Sequence, residues 1–527
     1  MSTTKRDIEN TLMRGADSLR DTIDASNYKD YVLPIMFIKY LSDSYIEEVQ
    51  TLEKDYQGAR LERQKQYLPF TVARDCSFQS LYEQRHADNI GQLINMAMRQ
   101  IEADNNQQLA GVLNTVDYNS ENALGTREHK NAILRELLED LEPLDLRPSQ
   151  IEVKDDQVPA DVIGDAYEYM IGQFASMAGK KAGSFYTPAA VSEIMSRIVD
   201  VKPGERVYDP TCGSGSLLIK TAKKQNANAV SIFGQEVNGS SVAMAKMNMY
   251  IHEIRDAKIA WGDTLANPVF KDEDGNLLQF DVIVANMPFS KDKWAAGFNP
   301  GGESTGKGKK EFKMEATLDK FHRFDWGVPP SSKGDWAFLL HMISSLALDG
   351  RIAAVTPHGV LFRGASEGII RKRLIDENLL EAVIGLPENL FYGTSIPACI
   401  LVLKKGRTDT DVVFIDASKK DEDGNLRYVK ATNQNELTEK NINDIVTAYQ
   451  NGQNVDKFVH VASLDEIKQK DYNLNIARYV DTFEEEELVD IELVQSNIKR
   501  IKEELVDVEA QMEEYFMELG LKTALNS

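Results

Sequence analysis

The chain has 527 residues and a formal net charge of −23; 42% of its residues are apolar and 27% charged. That is the make-up of a globular protein of two to four domains, at about 150 residues each, and so acidic a balance excludes a stand-alone nucleic-acid binder. The N-terminus lacks the apolar core of a secretory signal, no apolar run is long enough to span a bilayer, and Cys76, Cys212 and Cys399 give neither a disulfide framework nor a zinc pattern, so a reducing cytoplasm is the expected location.

Residues 1 to about 150 carry apolar positions at helical spacing: Ile8, Leu12, Leu19 and Ile23, then Val32, Met36, Leu41 and Ile46. Gly and Pro are sparse there, so a helical front is expected, with Tyr56 to Tyr67 as a solvated face. Pro143, Pro148 and Pro159 mark a boundary. A helix is expected from about Ala160 to Ser176, with Ile163, Tyr167, Ile171 and Phe174 on one side. Next comes Gly183-Ser184-Phe185-Tyr186-Thr187-Pro188, where Thr187 is placed to cap a helix and Pro188 to open it.

From 200 to 410 strands and helices alternate, which predicts a doubly wound parallel sheet. Strands are expected near 206–209, 230–235, 257–261, 280–285, 351–356, 380–385 and 399–404. The first breaks into Asp209-Pro210-Thr211-Cys212-Gly213-Ser214-Gly215, whose glycines permit a tight turn and a close approach of backbone to ligand. A helix from about Ser216 to Lys224 would point its N-terminal amides at that ligand. The second strand ends in Gln235-Glu236, 21 residues after Gly215 (236 − 215), a separation at which a carboxylate can accept from ribose hydroxyls. The third ends in Gly262-Asp263-Thr264. The fourth breaks into Asn286-Met287-Pro288-Phe289. An amide with both donor and acceptor, beside a proline and an aromatic face, suits gripping a flat base by its polar edge and stacking on it. The text Lys-Asp-Glu-Asp-Gly-Asn-Leu occurs at 271–277 and again at 420–426, and both copies read as hairpin turns.

Charge is uneven. Residues 481–527 hold 4 basic and 14 acidic residues, a net of −10, whereas 291–323 hold 8 basic and 5 acidic, a net of +3. The basic stretch follows the Asn-Met-Pro-Phe loop directly, and its Lys307, Lys309 and Lys310 are candidate phosphate contacts. It approaches a nucleotide-binding loop, but Gly308 stands where Ser or Thr is needed and no strand leads in, so triphosphate binding is rejected. At the C-terminus Ile491, Val494, Ile498, Ile501, Leu505, Val508, Met512, Tyr515 and Leu519 recur in steps of three and four. This heptad seam needs cover, from its own globular body or from a helix of another subunit.

Asp-Pro-Thr-Cys-Gly-Ser-Gly followed by Asn-X-Pro-Phe, each after a strand, resembles motifs I and IV of S-adenosylmethionine-dependent DNA amino-methyltransferases. The wider order resembles the modification subunit of type I restriction–modification enzymes; Gly-X-Phe-Tyr-Thr-Pro matches motif X of that family, and the 471–479 segment Asp-Tyr-Asn-Leu-Asn-Ile-Ala-Arg-Tyr is similar to it too. The resemblance implies an α/β fold. It comprises an N-terminal helical domain (1–155), a Rossmann-like S-adenosylmethionine-dependent methyltransferase domain (156–480) ending in an antiparallel strand pair, and a long C-terminal helix (481–527) for assembly.

The implied reaction moves methyl from S-adenosylmethionine to N6 of a flipped adenine in DNA. The implied cofactor residues are Phe185, Tyr186, Thr187, Pro188, Asp209, Thr211, Cys212, Gly213, Ser214, Gly215, Glu236, Asp263 and Thr264. Asn286 and the main-chain carbonyl of Met287 would accept from the adenine amino group, beside Pro288, with Phe289 stacking on the base. The implied partners are DNA and a specificity subunit, two copies of this chain to one, with a restriction subunit left open. The family usually has Asn-Pro-Pro-Phe; Met287 keeps the carbonyl and loses the proline ring. Rival readings are a non-catalytic scaffold impaired at Met287, a protein-glutamine methyltransferase and a dinucleotide oxidoreductase. The last lacks a third glycine and any use for Asn-X-Pro-Phe.

Overall fold

The computed structural model describes residues 2–20, 22–154, 157–178, 186–225, 227–299, 312–421, 424–431, 434–481 and 491–519. Residues 1–480 form one compact unit and 481–527 a second.

The front of the first unit is helical. Helix α1 (Lys5–Asp17) opens with a reciprocal cap, in which Thr4 accepts from the Asp7 N–H while Asp7 accepts from the Thr4 N–H. It is followed by α2 (Tyr28–Asp55), α3 (Ile90–Asp104), α4 (Arg127–Leu141) and α5 (Pro159–Ala178). Ile8, Leu12, Leu19, Val32, Met36 and Leu41 are buried as their spacing requires. Ile46 is exposed, because α2 buries nothing beyond Ser44. The helix within the expected solvated stretch, Ala59–Lys65, buries no residue. Helix α5 buries Ile163, Tyr167, Ile171 and Phe174 together.

After α6 (Ala189–Val199) the sheet begins, and α7 (Ser216–Ala222) and α8 (Gly239–Ile251) alternate with its first strands. The front helices share one apolar core with Met244, Met247, Tyr250 and Ile251 of α8. The helical front is thus seated on the sheet-covering helix that follows Glu236.

Nine strands among the described residues make one sheet, ordered β3-β2-β1-β4-β5-β7-β6-β8-β9. They are β1 (Arg206–Asp209), β2 (Ser231–Glu236), β3 (Lys258–Trp261), β4 (Phe280–Asn286), β5 (Leu346–Pro357), β6 (Leu380–Gly385), β7 (Ala398–Lys404), β8 (Val412–Asp416) and β9 (Val459–Ala462). The first five pair in parallel. Val282, Ile283, Val284 and Ala285 are fully buried, as a strand covered on both faces requires. Strand β7 runs antiparallel between β5 and β6, as the family resemblance implies. The sheet does not stop there: β8 adds parallel to β6 and β9 antiparallel to β8, two strands beyond the expected seven. The Val-Val-Phe-Ile run of β8 was the readable signal for this extension.

The chain winds outward from β1 in one direction and from β4 in the other, so the sheet reverses between these two strands. Ligands of open α/β sheets sit outside the carboxyl ends of the strands at such a reversal. The loops there begin at Asp209 and Asn286. Beyond the reversal, α9 (Asp335–Ser344) leads into β5, α10 (Ala365–Asp376) into β6, and α11 (Glu439–Asn451) precedes β9. Both repeated heptapeptides close as turns: Asn276 N–H donates to Asp272 and Asn425 N–H to Asp421, each at 2.8 Å, with Gly275 and Gly424 at φ of 83° and 80°.

The second unit carries α12 (Ile491–Glu518). Ile498, Ile501, Leu505, Val508, Met512 and Tyr515 of the seam are all at least 40% exposed.

Candidate active site

The turn after β1 is built on two glycines. Gly213 and Gly215 have φ of 52° and 78°, a region unfavourable to residues with a Cβ. Thr211 N–H donates to Asp209 Oδ1 at 2.8 Å, closing the turn on the strand that precedes it. Glu236, at the end of β2, receives Gly213 N–H on Oε2 at 3.1 Å and Asn238 N–H on Oε1 at 2.8 Å. The acid expected to face ribose therefore also ties the glycine turn to the neighbouring strand. Cys212 is buried, with its thiol packed against Gly234, where an added Cβ would lie 2.9 Å from Sγ.

The loop after β3 is fixed from both sides. Asp263 Oδ1 accepts from the N–H groups of Leu265 and Ala266, at 2.9 and 3.2 Å. Thr264 Oγ1 donates to the Pro210 carbonyl at 2.6 Å, joining this loop to the glycine turn. Arg323, 2% exposed, grips it from behind: Nη2 donates to Leu265 O at 2.6 Å and to Asp319 Oδ1 at 2.8 Å, and Nε donates to Asp319 Oδ2 at 3.0 Å.

Asn286 is the last residue of β4 and stands level with Val355 of β5. Its Nδ2 donates to Thr187 Oγ1 at 3.1 Å. Here the structure corrects an expectation. Thr187 does not cap α6; Pro188 holds the cap position, without a side-chain bond, and the helix starts at Ala189. The Thr187 hydroxyl is turned to Asn286 instead. Tyr186 packs beside Tyr392 with ring centroids 5.6 Å apart and lies over Gly172, where a Cβ would sit 3.1 Å from its hydroxyl. Phe185, Lys307, Lys309 and Lys310 lie outside the described residues.

Met287 is 1% exposed and fills the core behind the loop, in the cluster that holds Trp294 and Trp336. Phe289 is half-buried, meeting Phe391 edge-on at 5.7 Å. Ser290 follows at φ 51°, and Asp335 holds it: Oδ1 accepts the Ser290 N–H at 2.6 Å while Oδ2 receives Arg363 Nη1 at 3.0 Å. From its neighbours alone, Asp335 would cap the helix it opens. Gly334 takes that position, and the carboxylate reaches across to the loop after β4 because it is wholly buried and needs charged partners.

A cavity of about 230 Å³ opens between these loops, lined by Thr211, Glu236, Asp263, Thr264, Asn286 and Pro288, with Lys291, Trp294 and Phe338 completing its wall. A smaller one of about 20 Å³ adjoins Tyr186, Thr187, Asp209, Gly213 and Ser214. Thr211 and Asn286 line both. Residues predicted from separated motifs thus line adjoining cavities at the carboxyl ends of the strands, whereas Pro188, Gly215, Met287 and Phe289 line neither. Lys291, Trp294, Arg323 and Phe338 were missed. Their signal was position after the Asn-Met-Pro-Phe loop; Phe338 is buried as well as cavity-lining.

The site is rich in carboxyls. Burial pushes the Asp209 carboxyl up to about 8, with the Glu236 carboxylate adding to the shift. Burial also raises Glu236, opposed by the N–H groups of Asn238 and Gly213. A cationic ligand would reverse both costs.

The N-6 DNA Methylase family model matches residues 158–488, and the HsdM N-terminal domain model matches 8–141. The type I restriction enzyme MjaVIII methylase subunit of Methanocaldococcus jannaschii is 30% identical over 523 residues, 97% of this chain and 84% of that protein. The MpnII methylase subunit of Mycoplasma pneumoniae is 30% identical over 550 residues, 97% and 96% of the two chains. The crystal structure of a type I restriction-modification methyltransferase subunit from Streptococcus thermophilus superposes with a TM-score of 0.77 at 35% identity, covering 91% of this chain and all of that one. These likenesses favour neither the protein-glutamine methyltransferase nor the scaffold reading. No helix among the described residues is long and apolar enough to cross a membrane. The chain belongs to the N-6 DNA methylase family, among the methylase subunits of type I restriction enzymes.

Proposed function

We propose that this N6-adenine DNA methyltransferase works on a base flipped into the cavity at Asn286, with S-adenosylmethionine as methyl donor. The observation that carries this reading is the Asn286–Thr187 contact. Because the amide donates through Nδ2 to Thr187, its Oδ1 is the end left to accept from an adenine amino group. The main-chain carbonyl of Met287 is the second acceptor. Together they would hold the amino nitrogen with its lone pair directed at the methyl group. Phe289, braced edge-on by Phe391, would stack on the base. Positioning then supplies most of the rate.

The residues present fit the cofactor. S-adenosylmethionine, when bound, supplies an electrophilic methyl on a cationic sulfonium, and the carboxyls of Asp209 and Glu236 beside the glycine turn suit a cation. Tyr186, Thr187 and Pro188, with Phe185, would close one side; Thr211, Cys212, Gly213, Ser214 and Gly215 would form the floor. Glu236 has lone pairs remaining for ribose hydroxyls, and Asp263 with Thr264 would flank the adenine ring. Lys307, Lys309 and Lys310 would contact DNA phosphates. The partners are DNA and a specificity subunit, two copies of this chain to one, in the cytoplasm.

The test is base-modification mapping of host DNA after expression with the neighbouring specificity subunit, beside Asn286→Ala. N6-methyladenine at one sequence motif, lost in the variant, is expected. Modification that survives in Asn286→Ala would overturn the assignment of the loop.

A further inference from the structure

A second concave site lies on the same edge of the sheet. It is a groove of about 440 Å³ between the start of α10 and the segment around Tyr472, lined by Phe362, Gly368, Arg371, Lys372 and Arg478 among others, with one carboxylate, Asp471, in its wall. Its floor is a buried charge. Arg371 is 4% exposed and makes three hydrogen bonds, all to carbonyls: Nε to Tyr472 O at 2.8 Å, Nη1 to Arg363 O at 2.7 Å and to Val360 O at 3.2 Å. Its Nη2 donates to no acceptor, and no carboxylate pairs with it, among the described residues. Glu367, one turn back, is hydrogen-bonded by Arg363 and acts on Arg371 through its charge alone. Gly368 lies beside Nη2, and a Cβ there would meet it at 3.9 Å, an ordinary contact, so a side chain at 368 would stand next to the guanidinium.

The remaining walls suit an anion as well. Helix α10, 12 residues long, starts from Gly364 with no side-chain cap, and Gly364 and Ala365 at that start line the groove. Lys372 and Arg478 are exposed at the rim, and neither forms an ion pair among the described residues. Phe362, 48% exposed, offers an apolar wall beside them. In a chain of net charge −23 this local excess of cations would attract an anion.

The groove is tied to the catalytic loop. Arg363 bridges Glu367 of α10 to Asp335, and Asp335 holds Ser290, the residue after Phe289. We propose that this groove seats a phosphodiester of the DNA backbone beside the flipped adenine, with Arg371 Nη2 and the α10 amides at its floor and Lys372 and Arg478 at its rim. This rests on the reading of Asn286 as the base-gripping residue. It adds a contact that would fix where the strand leaves the catalytic mouth.

The test uses the full chain assembled with the specificity subunit and a labelled duplex carrying the sequence found by modification mapping. Affinity is measured against salt for wild type, for Lys372→Glu with Arg478→Glu, and for Gly368→Glu. The last sets a carboxylate beside Nη2 without touching the fold's own contacts to Arg371. The double variant is expected to flatten the slope of log affinity against log salt by about 2, and Gly368→Glu to weaken binding about tenfold or more. Assembly with the specificity subunit and the methylation rate at saturating DNA should be retained. Unchanged salt slope and affinity in both variants would overturn the proposal. Loss of assembly with an unchanged slope would overturn it too, marking a protein-docking surface. Methylation by the wild-type complex is read in the same samples, so failure of the Asn286 reading shows there and not in the slope.

Discussion

Arg323 donates from Nη2 to the carbonyl of Leu265 at 2.6 Å while the two oxygens of Asp319 accept from its Nη2 and Nε. Its Nη1 adds a contact to His341 Nδ1 at 3.2 Å, and His341 Nε2 lies 3.1 Å from the Tyr208 hydroxyl. Burial, with Arg323 beside it, holds His341 well below its usual pKa, so the ring is neutral. Accepting from Arg323 through Nδ1, it carries its proton on Nε2 and donates to Tyr208. One buried guanidinium thus braces the loops that begin at Asp263 and at Asp209.

Arg323→Lys keeps the charge opposite Asp319 and loses the fork that reaches Leu265. Hydrogen bonds of this kind contribute about 0.5–1.5 kcal/mol each. The variant is expected to raise the KM for S-adenosylmethionine about tenfold, with kcat at saturation and DNA affinity near wild type. Steady-state kinetics beside a thermal melt would check it; a fall in kcat at unchanged KM would refute a role in shaping the cofactor side. Arg323→Ala is a different experiment, since it strands a buried Asp319 carboxylate and should cost about 3–5 kcal/mol of stability.

Thr187→Val removes the acceptor that orients the Asn286 amide and keeps nearly the same shape. Freed of Thr187, the amide can present its NH2 to the adenine amino group, a donor against a donor. Loss of one neutral hydrogen bond predicts a three- to tenfold drop in kcat, about 0.5–1.5 kcal/mol, with the Kd for S-adenosylmethionine little changed. Thr187→Ser should restore the rate. A Ser variant as slow as Val would show that the hydroxyl alone does not set the rate, and would refute the orienting role given to it.

The sheet, the glycine turn and the Asn-Met-Pro-Phe loop were legible because each is local: an apolar run ending abruptly in residues with particular backbone freedom or polarity. What was not legible depends on contacts across long sequence separations. Asp319 and Arg323 are four apart and could have been an exposed pair; their burial is set by a segment folding under the β3 loop. Asp335 reads as a cap from its neighbours alone and becomes the brace of Ser290 once α9 is placed. Met287 looked like a defect in a motif. Its side chain proves to be core, so proline there would stiffen the loop and also empty a packed site.

The carboxyl of Asp209 sets a pH dependence. Its folded pKa, about 8, lies above the unfolded value of about 3.8, because burial disfavours the charge. Between those values the folded chain holds a proton that the unfolded chain has lost, so its contribution to stability falls as pH rises from about 4 to about 8. A cationic ligand favours the ionised carboxylate, so binding should expel that proton. S-adenosylmethionine affinity is then expected to rise with pH through 7 to about 8 and to level off above it. Calorimetry in buffers of differing ionisation enthalpy would read the proton release directly, and zero release at neutral pH would sink the assignment.

The seam on α12 sets the last prediction. A helix of 28 residues with Leu505 and Val508 more than half exposed leaves an apolar stripe that water penalises. The same stripe repeats at coiled-coil spacing, so a helix from another subunit can cover it with side chains in register. Leu505→Glu with Met512→Glu should therefore leave the melting of the 1–480 unit unchanged, because that unit has its own cores. It should abolish co-purification with the specificity subunit and, with it, methylation in the cell. Light scattering of the wild-type complex should give a mass for two copies of this chain to one specificity subunit. Assembly that survives both charges would place the subunit contact elsewhere and return α12 to a role within its own chain.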